Sequence, residues 1–359
     1  MSHILFLVNH DVVIYNFRLE LVEKLLFDGH RVTISCPYGE RIDDLKRIGA
    51  EYQEITIDRH GMNPLKEINL ICTYKKLLDK VKPDIVFSYT IKPNIYGAIA
   101  CKSRKIPCVA NVTGLGTAVE NSGIMQTISI LLYKYAFTKV KTVFFQNREN
   151  QQFFKEHKIA IGKHKMLPGS GVNLERYQAL PYPVDDVIKF VFIARIMKEK
   201  GIDYYLEAAK TIKEKYKNTE FHVCGFVEKE YEGKLQEYVD KGIVIYHGMV
   251  RDIRTIHMQM HCTVFPSYYP EGLSNVLLEA AASARAIITT DRAGCREAVD
   301  DGITGMLIPV QNQEALNHAL EKFIAMSTEE RKNMGIAGRK KVEKEFDRQI
   351  VVDKYMQEI

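Results

Sequence analysis

Apolar residues along this chain come in short runs, each closed by a polar or glycine-rich turn and followed by a stretch with helical spacing. The first run is HILFLV at residues 3–8, ending at Asn9-His10-Asp11, after which Phe17, Leu21, Leu25 and Leu26 recur at helical intervals. A strand apolar on both faces, a polar loop and an amphipathic helix are the repeating unit of a parallel sheet. The strand signal returns at 31–36, 52–57, 84–89, 108–113 and 142–147, with helical patterns at 64–82, 95–104 and 124–137. This alternation predicts a doubly wound α/β domain whose ligands meet the C-terminal ends of the strands, here residues 9–11, 90–94 and 113–116.

Glycine and proline interrupt the pattern in PGSGVNLERYQALPYP, and it restarts with strands at 190–195, 220–225, 244–248, 262–267 and 286–290. Helical stretches fall at 203–216 and 231–238 and after Ser274. The expected organisation is an N-terminal domain at 1–167, a linker at 168–183, a second α/β domain at 184–343, and a closing helix at 344–359 that packs back on the first domain. A chain of 359 residues, 46% of them apolar, can fill two cores of that size.

Composition narrows the setting. Seven cysteines at 36, 72, 101, 108, 224, 262 and 295 form no C-x-x-C pair, which reads as reduced, buried thiols in a cytoplasmic protein. No basic leader precedes the first strand, and no apolar run approaches the roughly 18 residues of a spanning helix. The net charge of +5 conceals a division: residues 1–180 hold 25 Lys and Arg against 17 Asp and Glu, and the remainder is net acidic. A basic half suits an anionic membrane face or a phosphorylated substrate; no aromatic-basic motif points to nucleic acid. Residues 124–141 are apolar with Lys134, Lys139 and Lys141 toward the end, and residues 74–82 add Lys75, Lys76, Lys80 and Lys82. Such segments lie on an anionic leaflet, at the inner face of the membrane, or are buried helices whose lysines reach the surface.

The second domain carries the candidate chemistry. In PSYYPEGLSNVLLEAA, Glu271 and Glu279 stand eight positions apart. Gly272 lets a ligand approach or the chain turn sharply, and Ser274 is placed to cap a helix through Asn275 and Glu279. A helix N-terminus aimed at a pocket is an anion site, so one carboxylate would lie beside the anion and the other deeper along the same ligand. In ARIMKEKGI, Arg195 and Lys200 leave a strand-to-helix turn that suits two phosphates and the charge growing on a departing diphosphate.

The set R-x-x-x-E-K-G, P-S-x-x-x-E-G-x-x-x-x-x-x-E-A and G-C-R-E-A-V-D-D-G-x-T-G resembles the family 4 glycosyltransferases, retaining enzymes of the GT-B fold. The resemblance implies two Rossmann-like domains facing across a cleft and a nucleotide-sugar donor, a UDP-sugar. It implies that Arg195 and Lys200 bind the diphosphate, Glu279 the ribose hydroxyls, and Glu271 with Gly272, Leu273, Ser274 and Asn275 the donor sugar. It implies neither metal nor other cofactor, and Asp300-Asp301 reads as a structural turn. In the first domain, KPDIVFSYTIKPNIYGAIA and VTGLGTA look like transferases of bacterial capsule and lipopolysaccharide synthesis. Those add hexose or N-acetylhexosamine to undecaprenyl-diphosphate-linked glycans.

This chain departs from the family pattern in two places. Where many relatives have a histidine near the donor sugar it has Thr113, leaving Thr113, Asn111 and the 114–116 backbone, Gly114 first, as candidates. Asn9-His10-Asp11 replaces the usual glycine pair, with acceptor contacts expected from Asp11 and Arg18; His10 and His60 read as loop histidines. Two other functions share the donor: a sugar-nucleotide 2-epimerase, and a non-catalytic subunit that binds sugar nucleotide or a companion enzyme.

Overall fold

Seven strands of the N-terminal half pair into one parallel sheet, because β1 (His3–Leu7), β4 (Ile85–Tyr89) and β5 (Cys108–Val112) are apolar enough to be buried on both faces. The sheet is completed by β2 (Arg31–Cys36), β3 (Glu51–Glu54), β6 (Thr142–Phe145) and β7 (His164–Met166), in the order β3-β2-β1-β4-β5-β6-β7. A second parallel sheet holds β8 (Ile188–Ile193), β9 (Thr219–Cys224), β10 (Ile245–Tyr246), β11 (Cys262–Phe265), β12 (Ala286–Thr290) and β13 (Gly305–Ile308). Its order is β10-β9-β8-β11-β12-β13. The computed structural model describes residues 1–58, 63–115, 123–184 and 186–359. They divide into two units, 1–171 with 270–272 and 348–359, and 172–269 with 273–347.

In the first unit the strand order reverses between β1 and β4. One face of the sheet packs Leu5, Leu7, Tyr74, Leu77 and Phe137; the other packs Phe6, Phe87, Phe144 and Tyr355. Tyr355 lies in the helix Arg348–Met356, so the closing helix is part of this unit. Arg348 Nη1 pairs with Glu20 at 3.0 Å, and Lys165 Nζ reaches the buried Glu358 carboxylate at 2.6 Å. The amphipathic stretch after β1 is two helices rather than one, Asp11–Phe17 and Leu19–Phe27, broken at Arg18 with φ −141°.

The second unit reverses its order between β8 and β11. The chain divides after Gly171, and most of the expected linker packs with the second unit. Arg285, 0% exposed, accounts for this: its guanidinium donates to the carbonyls of Leu180, Pro181 and His257. Periodicity missed β7 and β13, which are short. It also missed the helices Arg41–Arg47, Arg148–Glu156 and Gln313–Ala325, the last two capped by Asn147 and Asn312 side chains accepting backbone N–H bonds.

Candidate active site

At the reversal point of the second sheet, the ends of β8 and β9 enclose a cavity of about 280 Å³, lined among others by Arg195, Phe226, Met249, Ile253 and Glu279. Arg195 lies two residues past the end of β8; its side chain is 48% exposed and its Nη1 lies 3.3 Å from Glu228 Oε1. Glu279 comes from the helix Asn275–Ala282 and is half-buried. Thus the structure gathers Arg195 and Glu279, 84 positions apart in sequence, on one cavity.

Lys200 closes the short 3₁₀ turn Lys198–Lys200, which ends at Gly201 with φ +82°. A Cβ at Gly201 would overlap the Pro266 carbonyl, so only glycine fits there. The Tyr268 N–H donates to the Glu199 carbonyl at 2.9 Å, which ties the turn to the segment after β11. Lys200 Nζ lies 4.5 Å from the Tyr269 ring centroid and 5.6 Å from that of Phe265, a cation–π seat that orients the ammonium. Burial, and next the Glu199 carboxylate, raises the neighbouring Tyr268 phenol above its ordinary pKa.

Ser274 occupies the N-cap of the Asn275–Ala282 helix, but its hydroxyl makes no capping bond; its N–H donates to the Gly294 carbonyl at 2.8 Å. The expected side-chain cap is therefore absent, and no side-chain cap satisfies the first helical N–H groups. Asn275 Oδ1 is buried without a hydrogen-bond partner. Leu273 is 4% exposed and packs in the core, so only its backbone can serve a ligand.

Residues 270–272 belong to the first unit. Asn147 Nδ2 donates to the carbonyls of Glu271 and Gly272, at 3.0 and 2.7 Å. A Cβ at Gly272 would overlap the Thr113 carbonyl and the Gln146 side-chain oxygen. At Gly272, read as a place where a ligand comes close or the chain turns sharply, it is the Thr113 backbone that makes this close approach. Thr113 and Gly114 thus lie against 270–272, where a Cβ on Gly114 would stand 3.0 Å from the Pro270 carbonyl. Glu271 is half-buried beside them.

Residues 182–341 match the family described as glycosyl transferases group 1, and residues 3–147 match the glycosyl transferase 4-like family. The chain belongs to the glycosyltransferases. It is 26% identical to the N,N'-diacetylbacillosaminyl-diphospho-undecaprenol alpha-1,3-N-acetylgalactosaminyltransferase of Campylobacter jejuni, over 98% of this chain and 96% of that one. It is 25% identical to the capsular polysaccharide biosynthesis glycosyltransferase CapM of Staphylococcus aureus, over 96% and 92%. Among solved structures, Anabaena HepE in complex with UDP-glucose superposes with a TM-score of 0.81 at 17% identity, covering all of both chains. The fold is GT-B, with two parallel-sheet α/β units.

In this glycosyltransferase three sequence expectations meet side chains already engaged. Asp11 is 1% exposed: Oδ2 accepts from the Arg41 N–H at 2.9 Å, Oδ1 accepts from Val12 N–H at 2.9 Å, and His10 Nδ1 lies 2.5 Å from Oδ1. Arg18 is 2% exposed, its guanidinium 5.1 Å from the Tyr89 ring centroid and 5.5 Å from that of Tyr355. Asn111, 1% exposed, donates from Nδ2 to the Tyr355 hydroxyl at 2.6 Å. Asp11 and Arg18, expected at the acceptor, and Asn111, expected beside the donor sugar, are thus enclosed within the first unit. His60 and Gly116 lie outside the described residues. Asn147, Phe226 and Met249 were not singled out from sequence; the Q-N pair ending the 142–147 run was the available sign for Asn147.

Proposed function

We propose that this glycosyltransferase moves a hexose or N-acetylhexosamine from a UDP-sugar to a glycan carried on undecaprenyl diphosphate, in the synthesis of a bacterial surface polysaccharide. The observation that carries the reading is the second unit's cavity, where one cation and one carboxylate converge beside an apolar wall of Phe226 and Met249. Glu279 accepts hydrogen bonds from the ribose hydroxyls, and the exposed ring of Phe226 offers a face to the base. Arg195 and Lys200 neutralise the diphosphate as it departs. The Campylobacter relative is named for a diphospho-undecaprenol acceptor, and HepE holds UDP-glucose, which supports both ends of the reaction.

The anomeric configuration is retained. The bond from the anomeric carbon to the donor phosphate oxygen breaks and the bond to the acceptor oxygen forms on the same face. The departing phosphate takes the acceptor's proton. Glu271 positions the sugar, and Thr113 with the Gly114 backbone borders it. The two cations supply the charge stabilisation, so turnover persists in chelator.

The test offers the purified chain a panel of UDP- and GDP-sugars and measures free nucleoside diphosphate with and without a polyprenyl-diphosphate glycan. Release from one UDP-sugar, accelerated by the acceptor and unaffected by chelator, is expected. Binding without turnover of any donor would instead favour a non-catalytic subunit, and an epimerised sugar nucleotide would favour the epimerase.

A further inference from the structure

Two positions past the end of β6, Asn147 is 1% exposed and stands in extended backbone, φ −145° and ψ 163°, as the N-cap of the helix Arg148–Glu156. The two ends of its carboxamide face different kinds of partner. Oδ1 accepts the Asn150 N–H at 2.8 Å, which caps the helix. Nδ2 carries two hydrogens and donates to two successive carbonyls far along the chain, those of Glu271 and Gly272. The orientation of the amide follows from these partners, since a carbonyl only accepts and a backbone N–H only donates. A helix cap asks for an acceptor alone, which Ser, Thr or Asp supplies as well. The pair of donors asks for an amide, and among the usual cap residues only asparagine has one.

Holding two successive carbonyls fixes two successive peptide planes, and with them the torsions of Gly272, the residue with the most backbone freedom to lose. Movement toward the ends of β5 and β6 is blocked as well, because the Gly272 Cα already lies against the Thr113 carbonyl and the Gln146 side-chain oxygen. Two residues on, the Ser274 N–H donates to the Gly294 carbonyl at 2.8 Å, and the Gly294 N–H in turn donates to Glu297 Oε2 at 2.7 Å. The chain is therefore held at 271, 272 and 274. The direction in which the half-buried Glu271 side chain leaves it is set by this backbone.

We propose that Asn147 is a positioning residue of the transfer reaction: its carboxamide clamps the Glu271–Gly272 backbone and so aims the Glu271 carboxylate. It acts through Glu271 and not on the substrate. Its effect on turnover rests on the reading of Glu271 as the group that positions the sugar; the clamp itself does not.

Asn147→Ser separates the two roles, since a serine hydroxyl caps the helix and cannot donate to both carbonyls. It should lower kcat roughly 10²-fold, the effect of about 1 Å of misplacement. UDP affinity, read by calorimetry, should stay within about twofold, because second-unit residues alone line that cavity. Asn147→Asp keeps the size and the cap, loses both donors and should behave alike, so either variant serves if the other does not fold. In a Glu271→Ala background, Asn147→Ser should cost less than about threefold more, since residues that act as one unit are not additive. Hydrogen exchange of the peptide 268–275 should quicken at least about tenfold in Asn147→Ser, with 148–156 as slow as in the wild type. Wild-type kcat in these variants, the same loss persisting on top of Glu271→Ala, or UDP affinity falling in step with kcat would overturn the proposal. Unaltered exchange at 268–275 would overturn the clamp whatever the kinetics. If Glu271→Ala alone keeps the wild-type kcat, or the wild type turns over no donor, the reading of Glu271 or of the transferase fails. Faster exchange in Asn147→Ser would still uphold the clamp.

Discussion

Beside the reversal point of the second sheet, Arg195 follows β8 with its side chain 48% exposed on a cavity rim; beside that of the first, Asp11 and Arg18 follow β1 at 1% and 2% exposure. The two sheets offer equivalent positions to a ligand, yet Arg195 stays half exposed, paired with Glu228 at the cavity rim, while Asp11 and Arg18 are enclosed. Asp11 spends its carboxylate on the Arg41 and Val12 N–H groups, and Arg18 lies over two tyrosine rings. A charged residue at the right end of a strand is a ligand group only where the fold has not already enclosed it.

The largest effect that separates the two units is on catalysis. Lys200→Ala should lower kcat by about 10²–10³-fold with the thermal midpoint unchanged, because the lost cation acts on charge that develops during transfer. Steady-state kinetics with the preferred donor, alongside a melting curve, checks this; an unaltered kcat would remove Lys200 from the mechanism.

Asp11→Ala should act in the opposite manner. Orphaning the Arg41 and Val12 N–H groups should cost the first unit about 3 kcal/mol, read by urea unfolding, while UDP binding is kept.

His257 shows that enclosure has the same consequence in the second unit. It is fully buried, neither ring nitrogen has a partner, and burial followed by the Arg285 charge pushes it down to about 3. An unfolded histidine titrates near 6.5, so the unfolded chain binds the extra proton between the two values and stability falls as pH drops through that window. Unfolding measured at about pH 7 and about pH 5 should differ by roughly 2 kcal/mol from this group alone. His257→Leu should reduce that difference. His222, pushed down to about 4 by burial and then by His247, leaves a residue of the same sign. Smaller still, Glu279→Gln should weaken UDP binding by about tenfold, roughly 1.4 kcal/mol, without changing stability.

Strand cores such as 31–36 and 286–290 were legible because an apolar run bounded by turns has one reading in a parallel sheet. The motif residues of the second unit were legible for a related reason: Arg195, Lys200 and Glu279 belong to short local patterns. What local pattern cannot carry is the long-range partner. Nothing near Asp11 announces the Arg41 N–H, nothing near Arg18 announces Tyr355, and the segment read as a linker is held by Arg285 about a hundred residues later. Gly272 was legible as a close approach but not as an approach by the Thr113 backbone.

Calorimetric titration of UDP into the wild type, Arg195→Ala and Arg18→Met tests the central claim most directly, that the second unit's exposed cavity is the nucleotide site. Affinity should fall about tenfold or more in Arg195→Ala, as loss of a charge-assisted contact requires, and should stay at the wild-type value in Arg18→Met. Undiminished binding by Arg195→Ala, with binding lost in Arg18→Met, would contradict the account and move the nucleotide to the first unit.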